Sequence, residues 1–294
     1  MDLNRPWKLI SDCLIIPFTG DNPATITSLP LSPMDCIISL GTSTTLLLTT
    51  TVYKTSPAYH IFNHPTTKGL YFVMLCYKNG SLAREKVRDE LNKSKSNDWD
   101  AFNSSLIDTP VLGGKQEAKV GFYFPLPEII PEAPSGTWCF NIDSSGKPKI
   151  ADESEWTAVE HARAIVEGQA LSMRVRARPL LPHHKPRNLY FVGGASQNSS
   201  IVSIMSQVLG SEEGVYRLTE GVTAGACARG SAIKAAWAYC GNGQNFEDFV
   251  RERWGGEERL GKLGGEENEN VWKRYGTILD AYSQCEDIIL SGTR

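Results

Sequence analysis

Residues 36–50 read CIISLGTSTTLLLTT, and the parsing of this run decides the fold. Isoleucine, leucine and threonine fill it, residues that favour the pleated, half-buried surface of a strand. Gly41-Thr42-Ser43 interrupts the apolar pattern near its middle. The stretch therefore predicts two strands joined at a tight turn. A third strand is predicted at 69–77, GLYFVMLCY, and three strands in succession suggest an antiparallel meander.

Upstream, the short apolar run DCLIIP at 12–17 reads as a buried strand that delivers the chain to Gly20-Asp21-Asn22-Pro23, a turn composition. Downstream, Ser81 is placed to cap a helix running to about Leu91. Residues 93–118 are polar, with Trp99 and Phe102 as isolated apolar anchors, and read as a long loop or a small helical insertion. GFYFPLPEIIPEAPSG, at 121–136, has four prolines in sixteen residues and is expected to be irregular. Asp152 and Glu155 have capping-box spacing. The helix that follows carries Val159, Ala162, Val166, Ala170 and Met173 on one stripe, and Gly168 in its middle implies a close neighbour.

Residues 189–192, LYFV, form a short strand that enters Gly193-Gly194-Ala195. A helix follows with Ile201, Ile204, Met205, Val208 and Leu209 inward and Gly210 as its stop. After GVYRL comes an alanine-rich helix near 223–239, and one last amphipathic helix is expected over about 268–287. The pattern describes one α/β domain over 1–294, with a loop-rich insertion at about 93–155.

The 294 residues are 41% hydrophobic and 21% charged, with formal net charge −3. That is ordinary globular composition. It carries no basic excess for a nucleic-acid partner, and no apolar run approaches the roughly 20 residues of a membrane helix. The opening MDLNRPWKLISDCLIIPF lacks the basic start and long apolar core of a secretory signal. The seven cysteines include no C-x-x-C pair. Reduced cysteines in a cytoplasmic protein are the plainer reading than zinc or a disulfide framework. His60 and His64 flank an expected turn, and His183 and His184 lie in a proline-bounded loop.

Three clusters carry candidate chemistry. Gly41-Thr42-Ser43 presents amides and hydroxyls suited to phosphate oxygens, although a plain hairpin turn is the commoner use of that pattern. Gly193-Gly194-Ala195-Ser196-Gln197-Asn198 follows a strand and opens a helix, where a nucleotide can lie against bare backbone. It is neither G-x-G-x-x-G nor a Walker A loop, and tight helix packing explains it equally well. Asp21 is a possible general base, or an aspartate serving its own turn. Trp99 is a loop anchor or a stacking face.

Taken in order, FTGDNPA, SLGTSTTLLL, CYKNGSLAREKVRDE, GFYFPLPEIIPE, ARAIVEGQALSMRVRA and FVGGASQNSSIVSIMSQVLG resemble the C-terminal half of the FGGY carbohydrate kinases, most closely the eukaryotic and fungal D-xylulose kinase branch. The likeness runs from about Trp7 to the final helix. It implies a ribonuclease H-like (actin-like ATPase) domain, a mixed sheet flanked by helices. It further implies the second domain of a two-domain sugar kinase, with the first domain absent from this chain. The implied reaction passes the terminal phosphoryl group of ATP, with Mg2+, to D-xylulose.

By that resemblance Asp21 falls on the catalytic aspartate and Asn22 on a sugar-contacting position. Gly41, Thr42 and Ser43 fall on the phosphate turn, and Gly194, Ala195 and Asn198 on adenine-contacting positions. Trp99 falls on a nucleotide-contacting tryptophan. No metal ligand is implied. Without an Asp-x-Gly-Thr loop early in the chain, the expectation is weak ATP affinity and negligible turnover until an N-terminal kinase domain completes the cleft. The other readings are a non-catalytic nucleotide-binding or interaction module, and an FGGY kinase for another substrate such as glycerol, gluconate or ribulose.

Overall fold

The computed structural model describes residues 13–95, 97–114, 117–218, 225–253, 260–263 and 268–292. In chain order the helices are α1 (Asp21–Ile26), α2 (Ser81–Asn92), α3 (Asp100–Asp108), α4 (Ala158–Ala177), α5 (Ser199–Leu209), α6 (Ala226–Cys240), α7 (Phe246–Arg253), α8 (Glu269–Gly276) and α9 (Leu279–Leu290). The strands are β1 (Cys36–Leu40), β2 (Thr44–Thr50), β3 (His60–Asn63), β4 (Tyr71–Tyr77), β5 (Ala118–Phe124), β6 (Gly136–Ile142), β7 (Pro148–Ala151), β8 (Asn188–Val192), β9 (Gly214–Leu218) and β10 (Leu260–Lys262). Two compact units divide the described residues: 13–31, 65–67 and 225–253 form one, and the other described residues form the second.

The larger unit is built on a sheet of order β10-β9-β8-β1-β2-β4-β3. The β1–β2 hairpin pairs Cys36 with Leu48 and Leu40 with Thr44, which leaves residues 41–43 as the turn. β4 then pairs with β2, Thr44 opposite Tyr77 and Thr50 opposite Tyr71. The meander is thus present, but β3 adds itself outside β4 as an edge strand. His60 opens that strand, so the turn expected between His60 and His64 is instead extended backbone. On its other side β1 pairs in parallel with β8, and β8 in parallel with β9. The sheet is therefore mixed.

Helix α4 runs through the core of this unit and touches α2, α3, α5, β5 and α9. Ala162, Val166, Ala170 and Met173 of its predicted stripe are buried, and Val159 at the helix start is exposed. A Cβ on Gly168 would stand 2.5 Å from the Gly121 carbonyl oxygen, which identifies the close neighbour as β5. The capping box is not Asp152 with Glu155, which form a single 3-10 turn over Glu153–Glu155. It is Thr157 with Glu160. Both pairs have the same spacing, and only the second stands where helical hydrogen bonds begin.

Two further expectations change. Residues 118–151 carry a three-stranded antiparallel sheet, β5-β6-β7, where much irregular chain was expected. The four prolines of 121–136 fall after Phe124 and before Gly136, between strands rather than in them. The last helix is two helices, α8 and α9, broken at Thr277 and Ile278, with Tyr275, Leu279 and Tyr282 buried across the break.

The smaller unit holds α1, α6 and α7. Gly230 lets α6 approach α1 so closely that a Cβ there would overlap the Ala24 carbonyl oxygen, at 1.7 Å. Lys234 Nζ donates to the Pro17 carbonyl at 2.9 Å, and Trp237 of α6 meets Phe246 of α7 edge to face. The strand expected at 12–17 is absent from the described part of that run, 13–17, which is neither helix nor strand and leaves Leu14 and Ile15 exposed. A strand requires a paired neighbour, and no partner strand adjoins this run among the described residues.

Candidate functional site

Parallel pairing of β1 with β8 puts the carboxyl ends of both strands side by side, the position at which open α/β sheets bind ligands. Each end continues into a glycine turn. Gly193 (φ +90°) needs to be glycine, because a Cβ there would stand 2.7 Å from the Leu40 carbonyl oxygen. Gly194 next to it is exposed, and a Cβ there would meet nothing within 4 Å. The fold does not demand glycine at 194; the open space in front of it does not belong to the protein.

The 41–43 turn is tied down from behind by the start of α2. Gly80 N–H donates to the Thr42 carbonyl at 3.1 Å and Ser81 N–H to the Gly41 carbonyl at 3.1 Å. A Cβ on Gly80 would lie 2.7 Å from the Thr42 carbonyl oxygen, so that contact also requires glycine. Ser81 is the first residue of α2 and Gly80 its cap. The turn's carbonyls are consumed by these bonds, while the Thr42 and Ser43 side chains remain exposed.

Between the two turns opens a groove of about 720 Å³, lined by Gly41, Thr42, Ser81, Glu85, Trp99, Asn103, Gly194, Ala195, Gln197 and Asn198, among others. It lies wholly within the larger unit. Six residues singled out in the sequence therefore line one groove: Gly41, Thr42, Trp99, Gly194, Ala195 and Asn198. Ser43 sits in the same turn without lining it. Ser81, Glu85 and Asn103 were not singled out as site residues, and Gln197 entered only as part of the 193–198 run. Ser81 and Glu85 carry a signal, since four residues apart on a helix means one face. Asn103 carries none, because it arrives only through the docking of α3.

Asn198 works hard for the fold. Its Oδ1 accepts from the Ser200 and Ile201 amides, both at 3.1 Å, and its Nδ2 donates to Asn103 Oδ1 at 2.7 Å. Two of the first amides of α5 are thus already satisfied, and the Arg217 guanidinium reaches the same end of the groove, its Nη1 donating to the Gln197 carbonyl and to Ser199 Oγ, both at 3.4 Å. Trp99 is half-buried, packed edge to face on Phe102, with the Arg88 guanidinium 4.6 Å from its ring centroid.

Asp21 and Asn22 belong to the smaller unit. Asp21 opens α1, is exposed, and accepts from the Asn22 amide at 2.8 Å through Oδ1. Gly20 before it has φ +99°. Its carboxylate thus serves its own turn through one oxygen and leaves the other free of that bond.

A mixed sheet flanked by helices, with paired glycine turns at the carboxyl ends of its parallel strands, fits the ribonuclease H-like domain of the actin-like ATPase class that the sequence resemblance implies. Comparison with known proteins narrows this. Residues 36–239 match the C-terminal domain of the FGGY family of carbohydrate kinases, and the chain belongs to that family. It is 46% identical to a probable D-xylulose kinase A of Aspergillus fumigatus, over 95% of this chain and 51% of the relative. It is 44% identical to D-xylulose kinase A of Aspergillus niger, over 94% and 50%. The fold is similar to that of xylulose kinase from Rhodospirillum rubrum, with TM-score 0.67 at 16% identity, over 93% of this chain and 51% of that one. The chain spans about half the length of the curated relatives it matches.

Proposed function

We propose that this chain supplies the nucleotide-binding half of an ATP-dependent D-xylulose kinase. One observation carries the reading: six residues that the FGGY resemblance assigns to ATP, drawn from segments as far apart as 41 and 198, line a single groove. The 42–46% identity to fungal D-xylulose kinases supports the choice of sugar.

In this reading the end at Gly194, Ala195 and Asn198 takes the adenine, against backbone that no Cβ obstructs at Gly194. Trp99 offers a ring edge or face to the nucleoside. The turn at Gly41, Thr42 and Ser43 takes the phosphates with hydroxyls and amides. Phosphoryl transfer leaves little covalent work to a protein, so positioning and charge stabilisation dominate. Asp21 is assigned as the base that accepts the proton of the attacking sugar hydroxyl, and Asn22 as a sugar contact. No cluster of three metal-ligating side chains occurs among the described residues, and Glu85 is the one carboxylate lining the groove. That donor set fits Mg2+ held mainly by phosphate oxygens and water, where it neutralises phosphate charge. All seven cysteines are free, which supports a reducing compartment such as the cytoplasm. No described helix is long and apolar enough to cross a membrane.

The test has two parts. Calorimetry with ATP and the isolated chain should give saturable binding that Trp99→Ala weakens about tenfold, the range of one base–aromatic stack. ADP release should then be followed with D-xylulose, glycerol and gluconate, for the chain alone and mixed with the N-terminal half of the Aspergillus relative. D-xylulose should be preferred, and Asp21→Asn should lower turnover by about 10²-fold or more. Absence of ATP binding, a preference for another polyol, or turnover indifferent to Asp21→Asn overturns the assignment.

A further inference from the structure

Arg84 lies in the first turn of α2 and is fully buried. Its Nη1 donates to Gln169 Oε1 at 2.6 Å and its Nη2 to Ser81 Oγ at 3.0 Å, while Nε has no partner. No carboxylate forms an ion pair with it among the described residues. The neighbouring Glu85 acts on it only at a distance, from the exposed face of the helix. Burial lowers the guanidinium to about 10, so it keeps its charge at neutral pH. The first turn of a helix also disfavours a cation, since the helix dipole is positive there. The chain therefore holds a charge against two penalties with neutral partners alone.

Both partners lead to the groove. Ser81 lines it. Gln169 Nε2 donates to the carbonyls of Asn79 at 2.8 Å and Gly80 at 3.1 Å, and Gly80 in turn holds Thr42. The buried cation is thus fastened to the backbone that carries the 41–43 turn.

We propose that Arg84 is a positioning residue for the polyphosphate of a bound nucleotide, its buried charge biasing the groove beside Gly41 and Thr42 toward anions through Ser81 and Gln169. The proposal rests on the nucleotide reading above and adds to it the source of the phosphate preference. The ligand class it selects is a nucleoside di- or triphosphate over the nucleoside.

The test compares ATP with adenosine by calorimetry for the wild type, Arg84→Lys and Arg84→Met, with thermal unfolding as the check on folding. Arg84→Met should weaken ATP by about 10- to 100-fold, the range of a charged hydrogen-bonding group, and adenosine by less than about threefold. Arg84→Lys keeps the charge and should keep the ATP-to-adenosine ratio within about fivefold of wild type. A purely structural brace predicts that Arg84→Met lowers both affinities together, or that Arg84→Lys collapses the ratio as Arg84→Met does; either result overturns the proposal. Should Arg84→Met fail to fold, Arg84→Lys decides alone by that same ratio. If the wild type binds ATP and Arg84→Met binds it equally, this inference fails and the nucleotide reading stands. If the wild type binds neither ligand, both fail.

Discussion

A glycine can be required by the chain or kept open for something the chain does not contain, and residues 193 and 194 separate the two cases. Gly193 combines a positive φ with backbone 2.7 Å from where its Cβ would be. Gly193→Ala should therefore cost at least about 2 kcal/mol, strain and clash together, read as a lowered midpoint in thermal unfolding. Gly194→Ala should leave stability within about 0.5 kcal/mol, since the added methyl meets open space. The same methyl enters the groove, so calorimetry should show ATP affinity reduced by about tenfold, near 1.4 kcal/mol. Equal ATP affinity in Gly194→Ala and wild type would mean that nothing approaches the backbone there. The sequence exposed both glycines as a pair but not their different roles, because the reason for the first is the carbonyl of Leu40, 153 residues away in the chain and adjacent only through the β1–β8 pairing. Asn103 was invisible for the same reason: its bond to Asn198 spans 95 residues.

Elements meet here through small residues, and that is where their packing is most exposed to test. Alanine is ordinarily the better helix former, and replacing a mid-helix glycine gains about 1 kcal/mol. Gly168→Ala in α4 should instead destabilise by about 1–3 kcal/mol, because the obstructing atom is the carbonyl oxygen of Gly121, which side-chain rotation does not relieve. Thr157→Ala, which removes the helix's capping box, should cost about 1 kcal/mol. Urea unfolding checks both, and a stabilised Gly168→Ala would contradict the α4–β5 contact. Helix α4 was legible from its 3.6-residue stripe, and so was its close neighbour from Gly168. Its cap was misread because two acid-bearing pairs of equal spacing stand five residues apart, and local sequence does not tell which begins the helix. The β5–β7 sheet was obscured by proline content averaged over a window that mixes strand and connection. The Thr277–Ile278 break was hidden because Tyr275, Leu279 and Tyr282 stay in phase across it.

At the scale of the molecule, the groove has no element of its own. β1, β8, α2, α3 and α5 each contribute a terminus, and the core behind them, centred on α4, fixes where those termini stand. A ligand there should tighten several separate segments while leaving remote ones unaltered. A ligand at about 100 times its Kd stabilises the form that binds it by about 2.7 kcal/mol. In hydrogen exchange, saturating ATP should therefore slow the amides of residues 40–43, 80–85, 99–103 and 193–201 together. These segments are distant in sequence and meet at the groove. The β5-β6-β7 sheet contributes no residue to it, so its locally opening amides, at the β6–β7 connection around residues 143–147, should exchange at unchanged rates. Arg84→Met should abolish the ATP-dependent slowing at 40–43 before that at 193–201, because the charge it removes stands behind the first turn and not the second. Slowing confined to one segment, or strongest in the β6–β7 connection, would place the ligand elsewhere and remove the ground for reading these termini as one site.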